Sequence, residues 1–156
     1  MADNFSPKFG NLIKYTFVRK NLLVDQTKVD LNYADSQSAG SACVVPYDGS
    51  IVALSACVSG SLASNVLTAG SVTFYVHEDS TEVTAAAGLN VLISYTSGCS
   101  ALGQSGYASQ APNLARVSAG DRLGVSVDTS GSMLFTGGTT GSANLKADLY
   151  VLLDPI

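Results

Sequence analysis

The feature that most constrains the fold is a two-residue alternation of apolar and polar side chains that recurs along the chain. In residues 71–78, the apolar residues Val72, Phe74 and Val76 alternate with polar ones. Successive side chains of a β-strand point to opposite faces, so this period predicts a strand with one buried and one wet face. Similar segments predict seven further strands, at 12–18, 27–33, 43–47, 50–58, 91–95, 122–128 and 145–153.

Polar turn residues separate these segments at intervals of about 8–12 residues, which is typical of sandwiches and barrels. Asp48 and Gly49 lie between the segments 43–47 and 50–58 and predict a hairpin there. Residues 96–113 are small and polar almost throughout and are predicted to form the longest loop. No segment of useful length has a helical period. The pattern therefore predicts an all-β fold, an antiparallel β-sandwich of jelly-roll type with about eight strands.

The chain has 156 residues, which fits one domain and is enough to bury about 68–70% of the unfolded surface. Its first ten residues, MADNFSPKFG, contain two phenylalanines but no strand period. We therefore expect residues 1–11 to form a short N-terminal arm and residues 12–156 to form a single β-sandwich domain.

The chain is poor in charge, with 13% charged residues against about 25% in ordinary globular domains. We expect part of its exterior to be covered by other protein, first of all by copies of itself. The net charge of −4 argues against nucleic acid as a partner. Residues 1–28 nevertheless hold five basic and two acidic residues. They form either a solvated first hairpin or a basic arm that docks on an acidic neighbour.

The three cysteines are odd in number and have no metal-binding spacing. Cys43 and Cys57 lie in apolar, strand-like surroundings and are predicted to be small buried hydrophobic residues, whereas Cys99 lies in the predicted loop. This usage indicates synthesis in a reducing compartment. No apolar run reaches the ~18 residues of a membrane span, and the N-terminus lacks the apolar core of a signal peptide. We expect no membrane partner.

Asp128, Ser130 and Ser132 form an Asp-x-Ser-x-Ser motif directly after the predicted strand 122–128. The motif resembles the metal-ion site of von Willebrand factor A domains, in which it follows a strand of a parallel sheet. Buried parallel strands read as continuous apolar runs, whereas residues 122–128 alternate as in an antiparallel strand. Asp, Ser and Gly are also the residues that polar turns select. We interpret the motif as a turn and predict no metal site.

Catalysis would depend on His77, which is the only histidine and lies in an alternating strand. No Gly-x-Ser-x-Gly turn is present to expose a nucleophilic serine. His77, Glu78, Asp79 and Glu82 could bind a hard cation, because carboxylates supply the oxygen ligands that such a cation prefers, but an acidic turn is the favoured interpretation. We therefore predict no catalytic residues, no cofactor, no small-molecule substrate and no enzymatic activity.

Two segments carry a resemblance to known proteins. Residues 45–80 contain a Pro-x-Asp-Gly turn, a strand, a small polar segment, Thr-Ala-Gly and a second strand. Residues 117–131 contain an Ala-Gly-Asp turn that leads into an alternating strand. Together they resemble the β-sandwich units of tailed-phage virion surface proteins, which include capsid decoration (cement) proteins and fibre heads. The Gly-Asp-x-Leu strand is also similar to tumour-necrosis-factor-like and complement-type globular heads, which are jelly-roll trimers.

The resemblance implies a structural virion protein of a bacteriophage. Its expected role is to bind the outer surface of the capsid as a homotrimer, with the major capsid protein as its partner. It would be made in the host cytoplasm and reside on the virion. The alternative is a receptor-binding or fibre-head module of a phage, or another trimeric binding domain. The first predicted strand begins within about a dozen residues, whereas a fibre head usually follows a shaft, which favours the decoration protein.

Two sets of residues are candidates for contacts with partners. The N-terminal segment combines aromatic anchors with cations that could meet acidic groups on a capsid. The candidates for this arm are Phe5, Lys8, Phe9, Lys14, Arg19 and Lys20. A trimer contact could use apolar strand faces, although each of these faces could equally be the private core of one sandwich. The candidates there are Val72, Phe74 and Val76, or Leu149, Val151 and Leu153.

Overall fold

The structure is a computed structural model that describes residues 11–23, 29–33, 42–60, 67–78, 81–82, 89–95, 104–129, 134–135 and 142–155. Every regular element within these ranges is a β-strand. The described ranges contain no helix that is long and apolar enough to cross a membrane.

The strands are numbered in chain order. They are β1 (Leu12–Leu23), β2 (Val29–Asp30), β3 (Asn32–Tyr33), β4 (Cys43–Val44), β5 (Gly49–Gly60), β6 (Leu67–Glu78), β7 (Thr81–Glu82), β8 (Val91–Tyr95), β9 (Gln104–Ser109), β10 (Arg116–Val117), β11 (Arg122–Asp128), β12 (Leu134–Phe135) and β13 (Ser142–Leu153).

These strands form two antiparallel sheets. Sheet one has the order β10-β5-β13-β1-β3, and β9 also pairs with β5. Sheet two has the order β12-β6-β11-β2, with β4 on β11 and with β7 and β8 on β6. The first and last long strands, β1 and β13, lie side by side, and the chain repeatedly crosses from one sheet to the other. This is the arrangement of a jelly-roll sandwich, which confirms the predicted fold class.

The core lies between the two sheets and is built from the apolar positions of the alternating strands. Phe17 and Leu54 of sheet one and Phe74 of sheet two are fully buried. The ring of Tyr33 packs at one edge of this core, with its centroid 5.6 Å from that of Phe17 and 6.1 Å from that of Tyr15. Each such aliphatic or aromatic side chain contributes about 1.5–3 kcal/mol when it is fully buried. The period-two pattern therefore identified the core face correctly.

The segment 27–33 differs from its prediction as one strand. Residues 29–30 pair with β11 in sheet two, whereas residues 32–33 pair with β1 in sheet one. Leu31 lies at the crossing, is fully buried, and donates its backbone N–H to the carbonyl of Val125 at 2.8 Å. Because the apolar alternation continues through the crossing, the sequence pattern cannot indicate where the chain changes sheets.

The hairpin predicted at Asp48 and Gly49 is wrong. Strand β4 before the turn pairs with β11 in sheet two, whereas β5 after it pairs with β13 in sheet one. The backbone of Val45 instead bonds the loop before β11, through its N–H to Asp121 (2.9 Å) and its carbonyl to Gly120 (2.8 Å). The Asp-Gly turn therefore links the two sheets, because long-range pairing overrides the local preference for a hairpin.

The long loop predicted at 96–113 contains a strand. Strand β9 pairs with β5 over residues 53–58. A side chain on Gly106 would meet Val91 at 3.1 Å and Ile93 at 3.3 Å, so the two sheets approach closely there. Because β9 contains glycine, serine and alanine where other strands have large apolar residues, its period is not visible in the sequence.

A polar network closes the end of the sandwich at which β13 finishes. Arg116 makes a two-pronged ion pair with Asp154, with N–O distances of 2.6 and 2.5 Å. The same guanidinium donates to the hydroxyl of Ser50 at 3.3 Å and to the side chain of Asn113 at 3.2 Å. The backbone N–H of Asp154 donates to the carbonyl of Asp48 at 2.9 Å. The residues after β13 are thus tied to two loops.

We predict that Arg116→Gln removes a pH-dependent part of the stability. The hydrogen bond from Arg116 lowers the pKa of Asp154 below its ordinary value of 3.8. A carboxyl with a lowered folded pKa contributes stability above the unfolded value and loses it as the pH falls through the folded value. Urea unfolding should show a small difference between wild type and variant above pH 5 that shrinks below about 3.8. A difference that is constant from pH 7 to pH 2 would contradict this account.

We also predict that Gly49→Ala weakens the pairing of β5 with β13. The added Cβ would lie 2.5 Å from the backbone carbonyl oxygen of Leu152, so the two strands must move apart. We expect a loss of about 1–3 kcal/mol in the free energy of unfolding, measured by urea titration. Gly124→Ala is the matched control, because no atom lies within 4 Å of its added Cβ. The control should be unchanged or more stable by up to about 1 kcal/mol. Equal losses in both variants would refute the steric explanation.

Candidate functional site

The outer face of sheet one is the surface that points away from the core, and strand pairing places its side chains in rows. Tyr107 of β9 pairs with Ser55 of β5, which pairs with Asp148 of β13, which pairs with Thr16 of β1. Directly paired residues share one face of a sheet. The neighbouring positions along the strands, such as Leu54, are buried in the core, so this row faces outward.

A shallow depression lies on this face. It has a volume of about 440 Å³ and opens to solvent. The next row, in which Cys57 pairs with Ser105 and with Lys146, forms part of its lining. Most of the side chains that line the depression are small, and the larger ones are those of Tyr107, Lys146 and Asp148. The outward-facing lining residues are Ser55, Cys57, Ser105, Tyr107, Lys146 and Asp148.

Among the described residues, two large apolar side chains are exposed on the outer face of sheet one, and one of them, Tyr107, lines the depression. Tyr107 is 81% exposed and Leu12, at the start of β1, is 59% exposed. Leu152 pairs with Leu12, and Tyr150 pairs with Lys14; both Leu152 and Tyr150 are half-buried. Leu12 lies three strand spacings and four residues away from Tyr107, so the two side chains mark separate exposed positions on this face. Sequence reasoning missed Tyr107, although it is the only aromatic residue in the predicted loop 96–113.

The polar groups of the face are suited to recognition more than to chemistry. Thr16 donates its hydroxyl to the Asp148 carboxylate at 2.6 Å and so fixes its position. Cys57 is exposed, contrary to its prediction as a buried residue, because it lies on the outer face of β5. Partial desolvation raises the pKa of its thiol, although Lys146 acts in the opposite direction. The thiol therefore remains protonated near neutral pH and is a poor nucleophile.

Cys43 agrees with its prediction as a buried hydrophobic residue. It is 1% exposed in sheet two, and burial raises the pKa of its thiol to about 12. Such a thiol is inert, because the thiolate is the reactive form. Cys99 lies outside the described residues.

The residues predicted to make the trimer contact lie in the interior of one chain. All six have relative exposures between 0% and 5%. A three-fold contact through these side chains would require the sandwich to open, so the structure supports the alternative in which both sets are private core. The alternation predicts that one face of each strand is buried, but it does not indicate whether the same chain or a second copy covers that face. The residues are Val72, Phe74, Val76, Leu149, Val151 and Leu153.

The candidate arm residues fall into two groups. Phe5, Lys8 and Phe9 lie outside the described residues. Lys14 and Lys20 are exposed on β1. Arg19 donates from Nη1 to the backbone carbonyl of Asp30 at 2.8 Å, which links β1 of sheet one to β2 of sheet two. Arg19 therefore has a role within the fold itself.

The Asp-x-Ser-x-Ser motif begins at the end of an antiparallel strand. Asp128 is the last residue of β11, which pairs antiparallel with β6. In adhesion domains the motif follows a strand of a parallel sheet. Strand β11 is antiparallel instead, as the alternation of residues 122–128 predicted. Ser130 and Ser132 lie outside the described residues, and the described residues contain no cluster of three or more groups suited to a metal ion.

His77 lies on the outer face of sheet two and is half-buried. Its Nε2 is hydrogen-bonded to the hydroxyl of Ser126, which lies on the neighbouring strand β11. Ser126 has a relative exposure of 0%. Because a substrate cannot reach a hydroxyl without exposed surface, this pair stabilises the sheet in the observed conformation and does not form a nucleophile site.

The chain matches no family model and no curated protein. Among solved structures it is similar to the globular domain of zebrafish complement 1qA protein, with a TM-score of 0.48 and 12% identity over 96% of this chain and 100% of that one. It is also similar to a structure of turnip yellow mosaic virus, with a TM-score of 0.33 and 10% identity over 94% of this chain and 96% of that one. A third similar structure is desmodium yellow mottle tymovirus, with a TM-score of 0.32 and 13% identity over 94% of this chain and 89% of that one. At these identities the likeness concerns the fold alone.

Proposed function

We propose that the chain is a structural virion protein that binds the outer surface of a phage capsid and stabilises it as a decoration, or cement, trimer. The observation that carries this proposal is the outer face of sheet one. It exposes Tyr107 and Leu12 and has many small side chains, together with the charged Lys14, Lys146 and Asp148. Exposed apolar side chains beside small residues favour contact with another protein.

The segments that resemble phage virion proteins support the proposal. They supply β5, β6 and β11, and their turns meet at one end of the sandwich, where Ala119 donates its N–H to the Asp48 carboxylate at 2.9 Å. Gly120 in the second turn has φ +94°, a conformation that side-chain-bearing residues rarely adopt. The turn residues that carry the resemblance thus have roles in building the fold, as expected for a protein whose function is structural.

The chemistry of the described residues favours binding over catalysis. The hydroxyl beside His77 is buried, and the exposed thiol of Cys57 remains protonated. Neither group offers a nucleophile that is both activated and accessible. A decoration protein needs neither, because it acts by covering and joining surfaces.

The N-terminal arm is the proposed capsid anchor. Lys14 and Lys20 are exposed on the first strand, directly after the segment that contains Phe5 and Phe9. Aromatic anchors typically carry most of the binding energy at an interface, whereas an exposed ion pair contributes about 0–1 kcal/mol. In this proposal the phenylalanines provide affinity and the lysines provide orientation towards an acidic surface.

The depression on sheet one favours a second candidate, a receptor-binding or fibre-head module. Its volume of about 440 Å³ lies within the range of small-molecule sites, roughly 300–1,000 Å³. Hydroxyls of Ser55, Ser105 and Tyr107 line it beside Lys146 and Asp148. Such groups could hydrogen-bond a sugar. This alternative predicts few copies on each particle.

The copy number of the chain in particles of the virus that encodes it tests the proposal. Quantitative mass spectrometry of purified particles should find the chain in numbers comparable with the major shell protein. A few copies per particle would favour the fibre head instead. Absence of the chain from purified particles would refute both virion proposals.

We predict that Phe5→Ala combined with Phe9→Ala weakens capsid attachment far more than Lys8→Ala does. Loss of two aromatic anchors should raise the dissociation constant by about thirtyfold or more, whereas loss of one exposed cation should change it by less than about fivefold. Co-sedimentation of the purified protein with capsids stripped of it measures both effects.

Two controls belong to this prediction. The melting temperature of the free double variant should equal that of the wild type, because we expect the arm to contribute to attachment and not to folding. Deletion of residues 2–10 should leave a folded protein that no longer remains on the particle. If the truncated protein decorates capsids at full occupancy, the arm is passive and the docking surface lies on the sandwich.

A further inference from the structure

We propose that the outer face of sheet one is the contact surface between copies of this chain, and that its occupant is the β9 edge of a second copy, which carries Tyr107. This inference rests on the proposed function, which includes a trimer, and it names the surface that holds the trimer together. The outer face takes the place of the two strand faces that the sequence suggested for the trimer contact, because their side chains are buried within one chain.

The shape of the face is self-complementary. Tyr107 protrudes with 81% of its surface exposed, and directly beside it lies the depression, in which Ser55, Cys57 and Ser105 leave open space. The volume of about 440 Å³ is sufficient to receive a tyrosine side chain. A copy related by rotation can place its Tyr107 in the neighbour's depression. Tyrosine is enriched in such anchoring positions because it combines a large apolar ring with a polar tip.

The size of the face agrees with that of a stable interface. Strands β9, β5, β13 and β1 lie side by side, and three of them have 12 residues. Spacings of ~4.8 Å between strands and ~3.3 Å between residues give a face on the order of 700 Å². A standard protein interface buries about 800 Å² on each partner. The face is therefore comparable in size with one side of such an interface.

The face carries a pair of opposite charges that a second copy can match. Lys146 is exposed and Asp148 half-buried, and they lie two positions apart on the same face of β13. A second copy presents a cation that can approach Asp148 and a carboxylate that can approach Lys146. Lys14 of β1 lies on the same face, paired with Tyr150, and gives the face a second cation.

Substitution of Tyr107 tests the proposal in the isolated protein. Light scattering of the wild type should give about three times the 16.0 kDa mass of one chain. Tyr107→Glu should raise the dissociation constant by about thirtyfold or more, because it removes an aromatic anchor and places a charge in the contact. Ser55→Arg, which fills the depression, should act in the same direction.

Tyr47→Glu is the matched control. Tyr47 is 56% exposed, but it lies in the turn before β5 at the end of the sandwich. The same substitution there should leave the mass unchanged. Circular dichroism and the melting temperature establish that each variant is folded.

Cys57 provides a second measurement that needs no substitution. Its side chain lines the depression, so alkylation of Cys57 by iodoacetamide should be slower in the assembled protein than after dilution below the dissociation constant. Site-resolved mass spectrometry distinguishes it from the buried Cys43. In Tyr107→Glu, the rate at every concentration should equal that of the diluted wild type.

A wild type that is monomeric at 100 μM, or a folded Tyr107→Glu variant with unchanged mass and unchanged Cys57 alkylation, overturns the proposal. The outcome for this contact surface can be told apart from the outcome of the copy-number test on particles. If Tyr107→Glu dissociates the protein but the chain is absent from particles, only the virion function fails. If the chain is abundant in particles but Tyr107→Glu remains assembled, only this contact surface fails.

Discussion

The antiparallel pairing of β13 with both β1 and β5 is the constraint on which the rest of the structure depends. It joins the first and last long strands of the described chain and forms the middle of sheet one. Because side chains alternate along a strand, this register places Leu149 in the core and Asp148 on the outer face. A slip of one residue would exchange them and would expose the apolar set. The rows of the outer face and the depression both follow from this register.

The functional character of the molecule follows from how the two faces of that sheet are used. The long aliphatic and aromatic side chains of this sheet lie mostly on its inner face, and small side chains occupy much of its outer face. Tyr107 and Leu12 are the large apolar side chains that are exposed on that face within the described residues. Exposed apolar side chains together with charges of both signs suit this surface to contact with protein. The accessible groups offer recognition through shape and hydrogen bonds, and the buried Ser126 and Cys43 are not available for chemistry.

Local pattern predicted the strands that keep to one sheet and failed where the chain changes sheets. Residues 71–78 and 122–128 bury the side chains that their alternation indicated. Residues 27–33 keep their alternation while crossing between sheets, and the Asp48–Gly49 turn makes a crossing where a hairpin is locally preferred. Strand β9 was not recognised because its pairing with β5 is stabilised by backbone hydrogen bonds, and small side chains give no periodic signal.

The sequence by itself determined the fold class, the inward positions of the long strands and the low charge of the exterior, because these depend on local periodicity and composition. Only the tertiary structure decided that the candidate trimer faces are private core. It also decided that Tyr107, Ser55 and Asp148, far apart in the chain, lie in one row across sheet one. The physical reason is that a period of two assigns each residue to a face, whereas the choice of neighbouring strand depends on pairing between distant segments, which no local pattern records.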